Sequence, residues 1–505
     1  MVEIDQKNFV RGIKSVDQKK GYQDHAILYT NNNEKTIMIK WGTTFGSHDG
    51  ALAVFVDDEL VFASDAERWS RKKNDPIIPD RLIEFAENKW GVPEIVYFYE
   101  DLNLKDERRK FAGQKPLEER KSFISSNVQF QKILNFKYPV TYGKHHKSHA
   151  RYGYYTSPFL DCTVLVLDAI GEWSTMTQWK VKDGAFALIE KWDYPKSLGL
   201  FYSAMTQKAG WKPNEEEYIL MGASAVVKEY NIHDYQYIKS KWDIGENFHQ
   251  GIDIEGLTDE FEIAAIAQDI YEEEFQKIIG EIDDENLVFV GGCALNVSAN
   301  RFLTKFNTFI PCNPGDGGSA IGCVLDHKIE ANPYLGYEIA GKYPVTEIIK
   351  ELKENHMVGV AKGRAEFGPR ALGNRSFLAD PSLLDMKDRV NKVKGREEFR
   401  PFAPMILKED VNRYFEEGIP SPFMNTIRKA KNETKEKYPS IIHLDGTSRV
   451  QEVTEEPHRT LLEEWKKETG CPMLLNTSLN IKGEPIVNNE KDVKNFEIKT
   501  DVKVL

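Results

Sequence analysis

A chain of 505 residues, 41% hydrophobic and 29% charged, exceeds the size at which one core usually keeps growing, so two domains are expected and a disordered or fibrous protein is excluded. Its 67 Lys and Arg against 79 Asp and Glu give a formal net charge of -12, which weighs against indiscriminate phosphate-backbone binding but leaves room for local basic pockets. The five scattered cysteines form no CxxC pair, which argues against a disulfide framework or zinc knuckle and for a reducing, cytoplasmic setting.

Residues 1–35 are polar and close on Asn31-Asn32-Asn33; they read as an appended leader without the apolar stretch of a signal peptide. From Thr36 to about Asp65 the pattern is a β-meander with His48 and Asp49 on its first turn. Helical spacing follows over 81–90 and 104–135, the latter beginning LKDERRK, whose mixed charges suit a solvated helix face or a nucleic-acid patch. Cys162 to Asp168 reads as a buried strand, 197–210 and 259–280 as helices, and Leu287 to Val290 as a further strand. This alternation predicts an α/β protein. A non-periodic cluster of Pro, Gly and Tyr at 328–344 places a domain boundary between 36–335 and 345–505, with a helix from Val345 to Asn355. No internal repeat is visible, and apolar runs such as Ala51 to Val56 are too short to span a bilayer, so no membrane is expected.

The segment KHHKSHARYGYY sets His145 and His149 four apart, on one face of a helix, where two imidazoles can grip one ion. Taken alone, such a pair is more often structural. Asp168, at the end of its strand, and Asp316, in NPGDGGSAIG, are carboxylates suited to complete a ligand set. Two imidazoles with one or two carboxylates fit a divalent transition metal, iron first, with zinc and manganese as competitors. In VGGCALN, Gly291 and Gly292 lie between strand and helix, where backbone amides could approach a phosphate or adenosine; a tight turn is the alternative.

Eight motifs in order, among them HHKSHARYGYYTSPF, VGGCALNVSANRFL, AEFGPRALGNRSFLADP, VKGREEFRPFAP and LLNTSLNIKGEPIV, cover roughly residues 36 to 490. Together they resemble the O-carbamoyltransferase family that includes the nodulation-factor, cephamycin and aminoglycoside enzymes. The resemblance implies an actin-like ATPase (Kae1-like) N-terminal domain and a YrdC-like α/β C-terminal domain. It implies ATP, accompanied by Mg2+, carbamoyl phosphate and a hydroxyl-bearing acceptor, with carbamoyl adenylate formed in one domain and its carbamoyl group transferred in the other. Carried over by motif, His145, His149 and Asp316 resemble metal ligands, Asp168 a ligand or near-ligand, and His48 a catalytic-site residue. Gly171, Gly291, Gly292, Asn296 and Asn476 join them as expected substrate or nucleotide contacts. Ala169, Ile219 and Lys482 depart from the residues usual in the family.

The C-terminal motifs make sense without the family. Arg370, Arg375, Lys394, Arg396, Arg400, Arg449 and Lys482 lie among Gly, Pro and Phe, as expected of a pocket that holds several negative charges together. Arg370, Lys394 and Arg400 are the expected catalytic cations of this half, stabilising charge on phosphate oxygens. Three rivals stand beside this reading: a hydroxymethylated nucleobase as acceptor, a threonylcarbamoyl-type tRNA modification, and a binding protein without catalysis.

Overall fold

A computed structural model describes residues 37–46, 48–115 and 138–505. The expected leader at 1–35 and the segment 116–135 lie outside the described residues.

The meander begins with β1 (Ile39–Thr44), β2 (Ala51–Val56) and β3 (Glu59–Asp65), and β4 (Ile95–Phe98) and β5 (Val140–Tyr142) complete a sheet of order β3-β2-β1-β4-β5. β1 pairs with β2, and β2 with β3, antiparallel, whereas β1–β4 and β4–β5 are parallel. A second sheet follows, built from β6 (Asp161–Gly171), β7 (Ser174–Lys182), β8 (Ala185–Asp193), β9 (Asn286–Val290) and β10 (Asn307–Phe309), ordered β10-β9-β6-β7-β8. Its first three strands are again an antiparallel meander, and its last two again add in parallel to the first. The chain thus writes one topology twice. No repeat was visible in the sequence because what repeats is strand order and direction, which different side chains can satisfy.

Between the sheets run the helices that carry the polar residues. His145–Thr156 packs against Asp316–Gly322, and the approach depends on glycine: a Cβ on Gly322 would stand 1.9 Å from the Ser148 carbonyl oxygen. The long helix Glu260–Gly280 buries Ile263, Ile266, Ile270 and Phe275 in a core shared with Leu165 and Phe289. The helices expected over 81–90, 197–210 and 259–280 are found at Asp80–Trp90, Leu198–Lys208 and Glu260–Gly280. Of the helix expected over 104–135, Leu102–Phe111 is described and ends before Gly113.

The segment 328–344 is structured. It contains β11 (Tyr334–Ile339), which pairs antiparallel with β13 (Gly363–Glu366), while β12 (Met357–Ala361) follows the expected helix Val345–Asn355. The last sheet has the order β12-β14-β19-β15-β18, using β14 (Arg375–Ala379), β15 (Ala403–Leu407), β18 (Gln451–Val453) and β19 (Met473–Ser478); β16 (Arg428–Lys429) and β17 (Thr447–Ser448) form a short pair. Its core includes Val358, Phe377, Ile406, Leu474 and Trp465.

Side chains lock this last part to the first. Asp65 accepts from the Gly368 amide and Arg68 donates to the Gly368 carbonyl, both at 3.0 Å. Arg71 donates to the carbonyls of Ile486 and Pro485 at 2.7 and 2.8 Å, and Asn300 to that of Asn425 at 2.7 Å. Among the described residues no helix is long and apolar enough to cross a membrane.

Candidate active site

His145 opens a helix and His149 follows one turn later, so both rings face inward, and both side chains are buried. Asp168 comes from β6, within the register shift between Leu167 and Gly171, and Asp316 from the first turn of the helix behind Gly315. The ligand atoms of the four lie within 4.8 Å of one another. His149 Nε2 is 3.2 Å from both His145 Nε2 and Asp316 Oδ1; His145 Nε2 is 3.2 Å from Asp168 Oδ2 and from Asp316 Oδ1. Ligands about 2.1 Å from a shared ion, at tetrahedral or octahedral angles, are separated by about 3.0–3.4 Å, so this spacing fits a coordination shell. The surroundings also fit: Tyr99 donates to Asp316 Oδ2 at 3.2 Å, the Gly292 amide donates to Asp168 Oδ1 at 2.9 Å, and His145 Nδ1 lies 3.5 Å from Glu100. The set can therefore hold a metal ion.

Electrostatics agree with the geometry. Burial disfavours charge on His145, but Asp316, Asp168 and Glu100 override it and raise its pKa well above the ordinary value. For Asp316, burial is likewise outweighed by His145, His149 and His48, which hold the carboxyl well below its usual range. His146 faces away: its Nδ1 lies 3.0 Å from Thr177 Oγ1, and burial with its two histidine neighbours lowers it to about 3. His48, on the turn after β1, is 3.0 Å from Asp49; burial opposes its charge, but Asp49, Asp316 and Asp168 together raise it to about 10. In that state it donates hydrogen bonds.

A cavity of 310 Å³ runs from His48, Asp168 and Asp316 past Gly292 and Asn296 to Arg370, Ser478 and Asn480. Beyond Arg370 the cations accumulate. Arg449 is buried, and its charge is disfavoured first by burial and then by Arg370, Arg396 and Arg400. Burial and Arg400 lower Arg370 to about 10. Among the described residues the buried Nε of Arg370 and of Arg449 have no hydrogen-bond partner. Like charges with orphaned donors are costly unless an anion joins them, so the residues fit a phosphate-bearing ligand. Lys394 is buried on neutral oxygens, 2.9 Å from both the Asn480 carbonyl and Oδ1, with Ser478 beside it. Arg396 lies over Phe402 and donates to Asn391 at 2.9 Å, while Arg400 lies over Tyr218 and pairs with Glu397 at 3.3 Å.

Several expected site residues stand elsewhere. Lys482 is exposed and paired with Glu397, because its loop turns the ammonium outward. Arg375, buried, directs its guanidinium at the carbonyls of Asn488, Lys362, Gly363, Asn374 and Tyr337, which makes it a brace for three loops. Gly171 makes room for His145: a Cβ there would meet the His145 ring at 2.5 Å. Gly291 has φ +95 and its amide donates to the Pro314 carbonyl at 2.8 Å, so that amide is not offered to a phosphate. The Gly292 amide is likewise engaged, on Asp168. Asn296 does line the cavity, its amide paired reciprocally with Gln268. Asn476 is buried in β19, donating to Gln451 at 2.7 Å and to the Ala371 carbonyl at 3.2 Å. Sequence reasoning missed Glu100, Tyr218, Ser478 and Asn480. The last two stand in LLNTSLN, beside Asn476, and the alternation of a strand would have put Ser478 on the same face as Asn476.

A buried imidazole–carboxylate cluster is thus joined by a cavity to a cationic pocket, an arrangement suited to holding a cation at one end and an anionic ligand at the other. Residues 40–325 match the family model "Carbamoyltransferase N-terminus" and residues 349–505 match "Carbamoyltransferase C-terminus". The chain belongs to the carbamoyltransferase family. It is 31% identical to an uncharacterized protein of Methanocaldococcus jannaschii over 514 residues, covering 91% of this chain and 96% of that protein. It is 27% identical to 3'-hydroxymethylcephem-O-carbamoyltransferase of Amycolatopsis lactamdurans over 88% of this chain and 94% of that one. It is 36% identical to nodulation protein U of Sinorhizobium fredii over 39% and 40% of the two chains.

Proposed function

We propose that this carbamoyltransferase uses ATP and carbamoyl phosphate to form carbamoyl adenylate in its cationic half and passes the carbamoyl group to an acceptor hydroxyl beside the His–Asp cluster. The observation that carries the reading is the single 310 Å³ cavity lined at one end by Arg370, Ser478 and Asn480 and at the other by His48, Asp168 and Asp316. The duplicated β-meander with parallel additions supports the actin-like (Kae1-like) assignment of the first half, and the anion-seeking pocket supports the YrdC-like assignment of the second.

In the cationic half, water and carbamoyl phosphate give carbamate and phosphate, and carbamate oxygen displaces pyrophosphate from the α-phosphorus of ATP, which enters with Mg2+. Arg370, Arg449, Arg396 and Arg400 neutralise the oxygens on which charge grows. Lys394 holds the Ser478–Asn480 wall through its bonds to both. At the other end the acceptor oxygen attacks the carbamoyl carbon, AMP departs with the bonding pair and its phosphate takes the hydroxyl proton, while protonated His48, held by Asp49, orients the hydroxyl by donating a hydrogen bond. His145, His149, Asp168 and Asp316 would hold a divalent ion, iron in this reading, that polarises a carbonyl or phosphate oxygen. Asn296 shapes the passage between the two ends.

Wild-type protein given ATP and labelled carbamoyl phosphate without acceptor should release pyrophosphate, with no requirement for threonine. Absence of release from metal-replete protein would remove the proposal. His48→Ala retaining full transfer would remove His48 from it.

A further inference from the structure

The strand β3 ends at Asp65, which stands at the N-terminus of the helix Ala66–Ser70 yet makes no capping bond with its side chain. An aspartate in that place ordinarily accepts from the first free amides of the helix. Here the carboxylate is directed instead at two distant loops: Oδ2 accepts from the Gly368 amide and Oδ1 from Asn313 Nδ2, each at 3.0 Å. Arg68, three residues on, donates to the Gly368 carbonyl at 3.0 Å, so Gly368 is gripped at both of its backbone polar groups.

Both loops lead straight to the site. Gly368 opens the run Gly368-Pro369-Arg370, and because the buried Nε of Arg370 has no hydrogen-bond partner among the described residues, the backbone at Gly368 governs where that guanidinium is presented. Gly368 has φ +120, and a Cβ there would stand 2.7 Å from the Cys312 carbonyl oxygen, so glycine lets this turn rest on the segment that carries Asn313. Asn313 in turn lies three residues before Asp316, and a Cβ on Gly317 would stand 2.6 Å from Asn313 Nδ2 and 2.8 Å from Asp65 Oδ1. The Asp65–Asn313 bond therefore lies directly against the backbone next to Asp316. Asp65 also lines the 310 Å³ cavity between the two ends. Burial raises its pKa to about 6 while Arg68 opposes the rise, which leaves it ionised at neutral pH and able to accept at both oxygens.

We infer that Asp65 is a positioning residue for both half-reactions: one carboxylate fixes the loop of Arg370 and the loop of Asp316, and so sets the anion pocket and the His–Asp cluster at a constant separation along the cavity. The inference rests on the carbamoyl-adenylate reading above for the role of Arg370, and on geometry for the placement of Asp316. Asp65 acts through these loops and not on the reacting atoms.

The test compares the full chain as wild type, as Asp65→Asn, and as the exchanged pair Asp65→Asn with Asn313→Asp, each assayed well below its melting temperature. In Asp65→Asn, an oxygen that keeps the Gly368 amide turns the new NH2 group against that of Asn313; the exchanged pair again sets a donor against an acceptor. For Asp65→Asn, acceptor-free pyrophosphate release should lose about tenfold or more in kcat with KM for ATP within about threefold, and Co2+ titrated into metal-free protein should bind about tenfold more weakly with altered visible absorption bands. The exchanged pair should return both to within about threefold of the wild type. Folded Asp65→Asn protein unchanged at either end, or an exchanged pair that leaves either loss in place, would overturn the inference. A wild type that binds Co2+ but releases no pyrophosphate would remove the adenylate reading and the Arg370 half with it, while the Co2+ titrations still decide the Asp316 half.

Discussion

The imidazole–carboxylate cluster and the cationic pocket are both buried and both polar, yet they are built on opposite plans. In the first, His145 and His149 meet Asp168 and Asp316, so opposite charges partly cancel and the remaining pull is on a cation. In the second, burial and then neighbouring arginines disfavour the charge of Arg370, Arg396 and Arg449, with Arg400 beside them. The first site can be quiet before its ligand arrives, whereas the second is under repulsion until an anion joins it. Removing a residue should therefore have opposite effects on stability in the two places.

The largest effect is expected at the cluster. Asp316→Ala leaves two buried imidazoles without the carboxylate they share, and should lower carbamoyl transfer by roughly 10³-fold or more while abolishing stoichiometric metal in elemental analysis. It should also lower the melting temperature. Arg449→Met breaks the comparison in the other direction. Acceptor-free pyrophosphate release should fall by roughly 10²–10³-fold, the loss typical of a removed charge-stabilising group. The ligand-free protein should nevertheless melt a few degrees higher, because a buried like charge has gone. A drop in melting temperature for Arg449→Met would mean that the cluster is compensated by groups other than substrate.

A smaller effect concerns acid stability. His458 lies buried with Nε2 3.1 Å from Asn374 Oδ1 and Nδ1 3.3 Å from the Tyr334 hydroxyl, and burial lowers its pKa from the ordinary 6.5 to about 4. The unfolded chain takes the proton first, so this contribution is full above pH 6.5 and is lost as the pH falls toward 4, by roughly 3 kcal/mol at most. Denaturant titrations of His458→Gln should show a shallower loss of stability in that window than the parent. The least change is expected from Lys482→Met. Its ammonium is exposed beside Glu397, so stability should move by no more than about 0.5 kcal/mol and turnover less than about threefold.

Much of the site was legible in the sequence because helical spacing carries its own geometry. His145 and His149, four apart, had to share a face, and a carboxylate at the end of a buried strand had few places to point other than inward. The C-terminal cations were legible as a charge inventory only. Arg375 and Lys482 look like Arg370 and Arg449 in the sequence, and the difference is made by carbonyls of distant loops that collect around Arg375 and by the turn that carries Lys482 outward. Glycines misled in a related way. Gly171 and Gly291 were expected at a phosphate, yet what they permit is the close passage of the His145 ring and of the Leu167 backbone, contacts between segments far apart in the chain. The doubled sheet topology was hidden for the same reason, since pairing order belongs to the tertiary structure and not to local periodicity.

Stripping the metal and repeating both half-reactions would test the division of labour between the two buried sites most directly. Pyrophosphate release from ATP and carbamoyl phosphate should survive the loss of the ion while carbamoyl transfer disappears and returns on adding iron back. If release and transfer collapse together in a protein that remains folded, the two clusters are not separate stations, and the account given for the cavity between them is wrong.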